Sequence, residues 1–419
     1  MAVTIDGTNG INDTVLGSST PAAANVTTLG ASGEVTATGF TGTLDGILGS
    51  GTPAAATVTT LAASGDLTAN NFAGRNKIIN GAMVIDQRNA GAVITPSNAY
   101  TVDRFWVQNS QASKLTAQQN AGSVTLPVGF INYLGITSSS AYSVGSGDYF
   151  NIQQSIEGVN CGGLAWGTSS AATVTLSFRV YSSLTGTFGG SLRNSANNRS
   201  YPFTYTVSSA NTWTTISLTI VGDQSGTWLT TTGVGINILF NLGTGTTYSG
   251  GTANAWNAGN YNTPSGSVSV VGTSGATFYI TGVQLEKSST ATEFEHRNFG
   301  EELALCQRYL QSSWSQGSAI GSAINQIVNV VQQSWGSSNA GGISGQAFVL
   351  PVAMRAIPTL VTYDLALTTG KVTALNAGAG TTDNVAVNQN YTTTNVFQVR
   401  MYNNSQHGIV FAYTLSAEL

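Results

Sequence analysis

This sequence predicts a mainly β protein of antiparallel sheets, on three observations. Hydrophobic residues alternate with Thr, Ser and Asn at a period of two, clusters of Gly, Asn and Ser separate these stretches, and charge is scarce. Alternation places one face of a strand in a core and the other in water, and Gly and Asn supply the turns between strands. Charged residues make up 8% of the 419 residues, against roughly 25% in an ordinary soluble domain. Hydrophobic residues reach 41% and aromatics 9%. That is enough for a sizeable core and unlike the charged, apolar-poor composition of a disordered chain.

Two copies of one pattern open the chain: VLGSSTPAAANVTTLGASGEVTATGF at 15–40 and ILGSGTPAAATVTTLAASGDLTANNF at 47–72, with 18 of 26 positions identical. Short apolar-alternating pieces between Gly and Pro turns cannot bury a core alone, so the repeats need neighbours. With only two copies, sister chains wound about a shared axis are favoured over a solenoid.

From Asn76 to Glu295 the alternation lengthens. Val174, Leu176, Phe178 and Val180 form one set, Ile216, Leu218 and Ile220 another, and Ile236, Ile238, Phe240 and Leu242 a third. Phe278 and Ile280 share one parity, Val283 and Leu285 the other, and Gly282 between them predicts a β-bulge. Many strands joined by small polar turns suggest a two-sheet jelly roll.

Gly300–Trp314 reads as the one helix. Glu301 and Glu302 occupy its first turn, Arg308 lies near its end, and Leu303, Cys306 and Leu310 share a face. Strands at Phe348–Ala353, Thr359–Leu367, Val396–Tyr402 and Gly408–Leu415 then predict a smaller C-terminal β-domain. The division is therefore 1–74, 75–298 and 299–419.

Composition also bounds the chemistry. Two His, two Cys and 32 charged residues are few for catalysis, so a structural or binding protein is expected rather than an enzyme. A net charge of -4 without clustered Lys and Arg argues against nucleic acid. Cys161 and Cys306 match no metal spacing and read as buried reduced thiols. No cofactor is expected, although carbonyl and Asn ligands leave a structural Ca²⁺ open. No basic region followed by an apolar run suggests a signal peptide, and no run of 18 apolar residues suggests a membrane span.

Five stretches carry a family resemblance. They are RNKIINGAM at 75–83 with DQR at 86–88; TVDRFW at 101–106; QQSIEG at 153–158 leading into LAWG at 164–167; TFYITGVQLE at 277–286; and EFE at 293–295 followed by EELALCQRY at 301–309. In this order they resemble tail-fibre or tail-associated proteins of tailed bacteriophages, as does PVAMRAIP at 351–358. The resemblance implies a virion protein, usually a homotrimer, with a jelly roll similar to carbohydrate-binding modules. Residues 1–74 would then be a virion-attachment and shaft region joined to other virion proteins, and the chain would be made in the host bacterial cytoplasm. Host recognition through a surface polysaccharide, without cleavage, is the expected function. A purely structural neck, head or tail decoration fibre is the alternative, and a polysaccharide depolymerase the second.

Glycan cleavage would typically need two carboxylates roughly 5–9.5 Å apart. Asp86, Asp103, Glu157, Glu286 and Glu295 fall inside the motifs with Arg88, Arg104 and Arg297 nearby, so paired structural carboxylates are favoured. Binding needs flat aromatic faces beside amides and hydroxyls. Trp228, Tyr248, Trp256, Asn260 and Tyr261, with Arg193 and Arg199, are the candidates, although aromatics at chain-to-chain contacts would look the same. Trp106, Trp166 and Trp213 read as core.

Overall fold

A computed structural model describes residues 74–323, 331–334, 343–344, 347–376, 380–387, 389–402 and 406–419. They belong to one compact unit, Thr68–Leu419. Both N-terminal repeats lie outside the described residues.

The first part of this unit is a sandwich of two antiparallel sheets. One has seven strands in the order β1 (Ala99–Tyr100), β2 (Trp106–Asn109), β5 (Tyr149–Glu157), β10 (Val234–Thr244), β7 (Gly186–Arg193), β8 (Arg199–Val207), β11 (Asn257–Ala258). The other has five: β3 (Leu115–Gln119), β4 (Leu134–Ser138), β12 (Thr277–Glu286), β6 (Val174–Ser182), β9 (Thr214–Ile220). Apart from the consecutive pairs β1/β2, β3/β4 and β7/β8, neighbours in the sheets are not consecutive in sequence, as in a jelly roll. The alternating residues face one another between the sheets: Val174, Leu176, Phe178 and Val180 from β6, and Ile236, Ile238, Phe240 and Leu242 from β10, are all 0–1% exposed. Phe178 meets Phe240 edge-on at 5.0 Å, a favoured aromatic geometry. The bulge predicted at Gly282 is present. Pairing of β12 with β6 shifts register between Thr281 and Gln284, Gly282 has φ +62°, and the shift brings both parities, Phe278/Ile280 and Val283/Leu285, into the core.

The helix is shorter than the sequence suggests. α1 runs over Phe299–Gln307 rather than to Trp314. Beyond it, tertiary pairing wins over helical periodicity: Leu310–Ser312 becomes β13, pairing with β22 (Gln406–Ser416). Arg308 clamps Glu157 at 2.8 and 2.7 Å, and Tyr309, fully buried, donates to the same carboxylate at 2.9 Å.

The remaining strands build a second β-layered part. β22 pairs with β13, β14 (Val331–Ser334), β17 (Thr359–Tyr363) and β18 (Lys371–Asn376), and β18 pairs with β19 (Gly380–Ala386). A smaller sheet joins β15 (Ile343–Ser344), β16 (Ala347–Val349) and β20 (Gln389–Thr392) to β21 (Val396–Tyr402). The core of this second part, drawn from both sheets, holds Leu350, Met354, Val372, Phe397, Val399, Ile409, Phe411 and Leu415. The strand expected over Thr359–Leu367 stops at Tyr363 because buried Asp364 accepts the backbone N–H groups of Thr368 and Asn384, each at 2.7 Å, and turns the chain.

Candidate functional site

Strands of the seven-stranded sheet that bury Phe150, Ile152, Ile238 and Leu192 on one side present the intervening residues on the other. Strand register aligns these into rows. Trp106, Gln153, Leu239, Ser191 and Pro202 are successive cross-strand partners; so are Ser155, Asn237, Arg193, Ser200 and Asn257; and so are Gln108, Asn151 and Asn241. The three named rows are mostly polar, with Leu239 and Pro202 among them, carry Arg193 as their one charge, and are enclosed: Asn151 and Ser200 are 0% exposed and Arg193 6%. Trp106, Gln108, Tyr149 and Tyr248 are only partly buried and form its rim.

Part of the face is a closed network. Gln153 Nε2 donates to Ser155 Oγ and Asn237 Oδ1, both at 3.1 Å, and Ser155 Oγ donates to Asn237 Oδ1 at 2.6 Å. The rest is open-ended. Among the described residues, Trp106 Nε1, both amide atoms of Asn151, Gln153 Oε1, Arg193 Nε and Ser200 Oγ are buried with no hydrogen-bond partner. An unmet buried polar group costs about 1–3 kcal/mol, so these six atoms on one face are hydrogen-bonding capacity that the described residues leave unused.

A loop over residues 245–267 leans on the same face. Arg193 Nη1 donates to Asn262 Oδ1 at 2.6 Å and to Asn260 Oδ1. Tyr248 meets Tyr149 edge-on at 5.6 Å. The Tyr261 ring is seated among Gly250, Gly251 and Gly259, all at positive φ, where a Cβ would come within 2.8–3.2 Å of it. At the opposite rim Tyr100 packs edge-on against Trp106 at 4.7 Å.

The sequence candidates therefore separate into two groups. Arg193, Tyr248, Asn260 and Tyr261 gather around the polar face. Trp228, Trp256 and Arg199 lie together elsewhere, around Trp166. The three indoles meet edge-on at 4.8–5.3 Å, and Trp256 also packs on Tyr201. Each indole N–H is already committed: Trp166 to Ala172 O, Trp228 to Ser225 O, Trp256 to Val221 O. Arg199 closes the group through two bonds to Asp223, at 2.8 and 2.5 Å. The adjoining cavity, lined by Cys161, Leu164, Trp166, Trp228 and Ile236, offers about 30 Å³, room for little more than one water. Trp228 and Trp256 are partly buried and pack against the sandwich core.

Of the tryptophans read as core, Trp166 is buried in it, whereas Trp106 lies on the polar face and Trp213 is part-exposed beside Tyr133 and Tyr181. Asn151, Gln153 and Ser200 escaped sequence reasoning. Their signal was the polar parity opposite the apolar one, which gains meaning only once register aligns the strands.

The motif carboxylates are tied into the fold. Asp103 pairs with Arg88 at 3.2 Å, Glu157 with Arg308 at 2.7 Å, and Glu286 accepts from Thr292 N and Oγ1 at 2.8 Å. Asp86 accepts from Asn89 N at 2.9 Å and Gly91 N at 2.8 Å, and Glu295 from Asn76 N at 2.7 Å. Both cysteines are free and buried; burial pushes the Cys161 thiol up to about 12 and raises that of Cys306 as well. Among the described residues no group of three or more His, Cys, Asp or Glu could hold a metal, and no helix is long and apolar enough to cross a membrane.

No protein-family model and no curated protein sequence matches the chain. Similar solved structures include a family 11 carbohydrate-binding module from Clostridium thermocellum in complex with a β-1,3-1,4-mixed-linked tetrasaccharide (14% identity, 49% of this chain and 98% of that one, TM-score 0.24). TmCBM61 in complex with β-1,4-galactotriose is similar at 8% identity over 44% of this chain and 88% of its own, TM-score 0.24. A triple jelly-roll protein of an archaeal virus turret assembly is similar at 11% identity over 80% of this chain and 78% of its own, TM-score 0.19.

Proposed function

We propose that the jelly roll binds a glycan on the polar face of its seven-stranded sheet, without cleaving it, and that the chain serves host recognition as a subunit of a homotrimeric bacteriophage fibre. The observation that carries the binding reading is the set of unpartnered neutral groups: the Trp106 N–H, the Asn151 amide, Gln153 Oε1 and the Ser200 hydroxyl. A sugar offers hydroxyls that both donate and accept, in the density such a face requires, and an apolar ring side for Trp106 and Tyr248 at the rim. The neutral face and the structural commitments of the motif carboxylates favour binding over hydrolysis. The virion setting and the trimer rest on the motif resemblance at 75–88, 101–106, 153–167, 277–286 and 293–309.

The test is a glycan array probed with the full chain and with the Asn151→Ala/Gln153→Ala double variant. Binding by the parent and a loss of at least about tenfold in the variant, equivalent to about 1.4 kcal/mol, are expected. Absence of binding across bacterial surface polysaccharides would favour the decoration-fibre reading. A fall in polysaccharide viscosity on adding the protein would make it a depolymerase. Light scattering that returned the mass of one chain would remove the trimer.

A further inference from the structure

Arg193 differs from the other buried arginine among the described residues, Arg104, which pairs with Glu418. Of the partly buried ones, Arg88, Arg199, Arg297 and Arg308 also pair with a carboxylate, whereas Arg179 lies over the Phe130 ring and Arg355 donates to backbone carbonyls. Arg193 is 6% exposed yet makes no ion pair among the described residues; its bonded partners are the neutral amide oxygens of Asn260 and Asn262, both through Nη1. A buried cation without a counter-charge is costly, and burial accordingly draws its pKa down to about 10.

Another unused donor stands at the cross-strand position. Nε is buried and unpartnered, and the cross-strand partner of Arg193 is Ser200, whose buried Oγ is also unpartnered. The Nε–Nη2 edge of a guanidinium is a fork that matches two oxygens of one anionic group, and a hydroxyl alongside supplies a third hydrogen bond. Asn237, the partner of Arg193 on the other side, contributes no charge. Asn260, partly exposed, and Tyr248 at the rim complete the surroundings.

Resting on the glycan-binding reading, we infer that Arg193 and Ser200 form an anion subsite within the polar face that selects glycans carrying an acidic substituent, a sugar carboxylate or a sulfate ester. The neutral rows at Trp106, Asn151 and Gln153 then hold the adjoining sugar, and the acidic group supplies the counter-charge that Arg193 lacks.

The experiment measures binding of the full chain to matched pairs: oligogalacturonate with its carboxyl-reduced form, and a sulfated galactan with its desulfated form. At least one acidic member should bind about tenfold or more tighter than its neutralised partner, with the pair that discriminates identifying the substituent. In Arg193→Gln the ratio within that pair should collapse towards one. Because Arg193 also holds the Asn260–Asn262 loop, Ser200→Ala provides a second variant that leaves the guanidinium contacts in place; it should weaken the acidic member about threefold or more, the loss of one hydrogen bond. Equal affinity within every pair, with neutral glycans still bound, overturns this inference and spares the glycan reading. No binding to any glycan overturns both. Inhibition by sodium sulfate as strong as by the acidic glycan itself marks a plain anion site and overturns the sugar assignment, and unchanged acidic binding in Ser200→Ala overturns the Arg193–Ser200 subsite.

Discussion

Single side chains in this protein show how burial, rather than charge count, governs the electrostatics of a charge-poor chain. Asp103 is enclosed, and desolvation raises its carboxyl to about 6 despite Arg88 and Gln87 alongside. From about pH 4 to 6 the folded state therefore keeps a proton that the unfolded chain has released, so stability falls as pH rises through that window. A rise from the ordinary 3.8 to about 6 corresponds to about 3 kcal/mol. Asp86 and Glu302, also raised mainly by burial, act in the same direction. Asp148 has the opposite sign: hydrogen bonds from Tyr142, Ser110 and Gly145 N hold it down to about 2, so its contribution is present above pH 4 and lost as pH falls towards 2. Denaturant midpoints measured from pH 4 to 7 should fall with rising pH in the parent and flatten in Asp103→Asn. An equal slope in both proteins would exclude Asp103 as the source.

At the level of the strand, glycine positions decide which aromatics can lie flat. Tyr279 on β12 stacks on Tyr181 of β6 at 5.3 Å with an interplanar angle of 7°, and its other cross-strand partner is Gly135 on β4. A Cβ at 135 would sit 2.6 Å from the Ala121 Cβ and 2.9 Å from the Tyr279 ring. Gly135→Ala should therefore cost about 1–3 kcal/mol through overpacking, whereas Gly147→Ala, with nothing within 4 Å, should leave the thermal midpoint nearly unchanged. Equal midpoints for the two variants would refute the packing argument. Much at this scale could be read from sequence, because alternation is local: the core parities of β6, β9 and β10 and the bulge at Gly282 need only adjacent residues. The end of α1 could not. Leu303, Cys306 and Leu310 continue a helical period, but Leu310 is claimed by β22, a partner more than a hundred residues away. The polar face was hidden for the same reason. Asn151, Arg193 and Ser200 stand on three different strands, and only the order β5-β10-β7-β8 brings them together.

Across the whole described unit, the two β-layered parts are joined by a few buried charges rather than by broad charged surfaces. Glu418, two residues beyond β22, bridges Arg88 at 2.8 Å and Arg104, while Arg104 lies 3.5 Å over the Tyr309 ring and donates to Ser155 O at 2.7 Å. Glu157, at the end of β5, holds both Arg308 and the Tyr309 hydroxyl. Since β5 is central to the seven-stranded sheet and Tyr309 leads directly into β13, this carboxylate links the order of one sheet to the position of the other. Removing it leaves the buried Tyr309 hydroxyl without its acceptor and the partly exposed Arg308 without its pair, a loss of about 1–3 kcal/mol, carried mainly by the buried group. Because the loss falls at the junction, its form matters as much as its size. In denaturant the parent should unfold in one transition reported alike by circular dichroism and by tryptophan fluorescence, which is weighted towards the jelly roll through Trp106, Trp166, Trp213, Trp228 and Trp256. Glu157→Ala should separate the two signals, with the C-terminal strands melting first. Coincident curves in the variant, shifted or not, would show that the coupling runs through the apolar contacts of α1 and β13 instead of through Glu157.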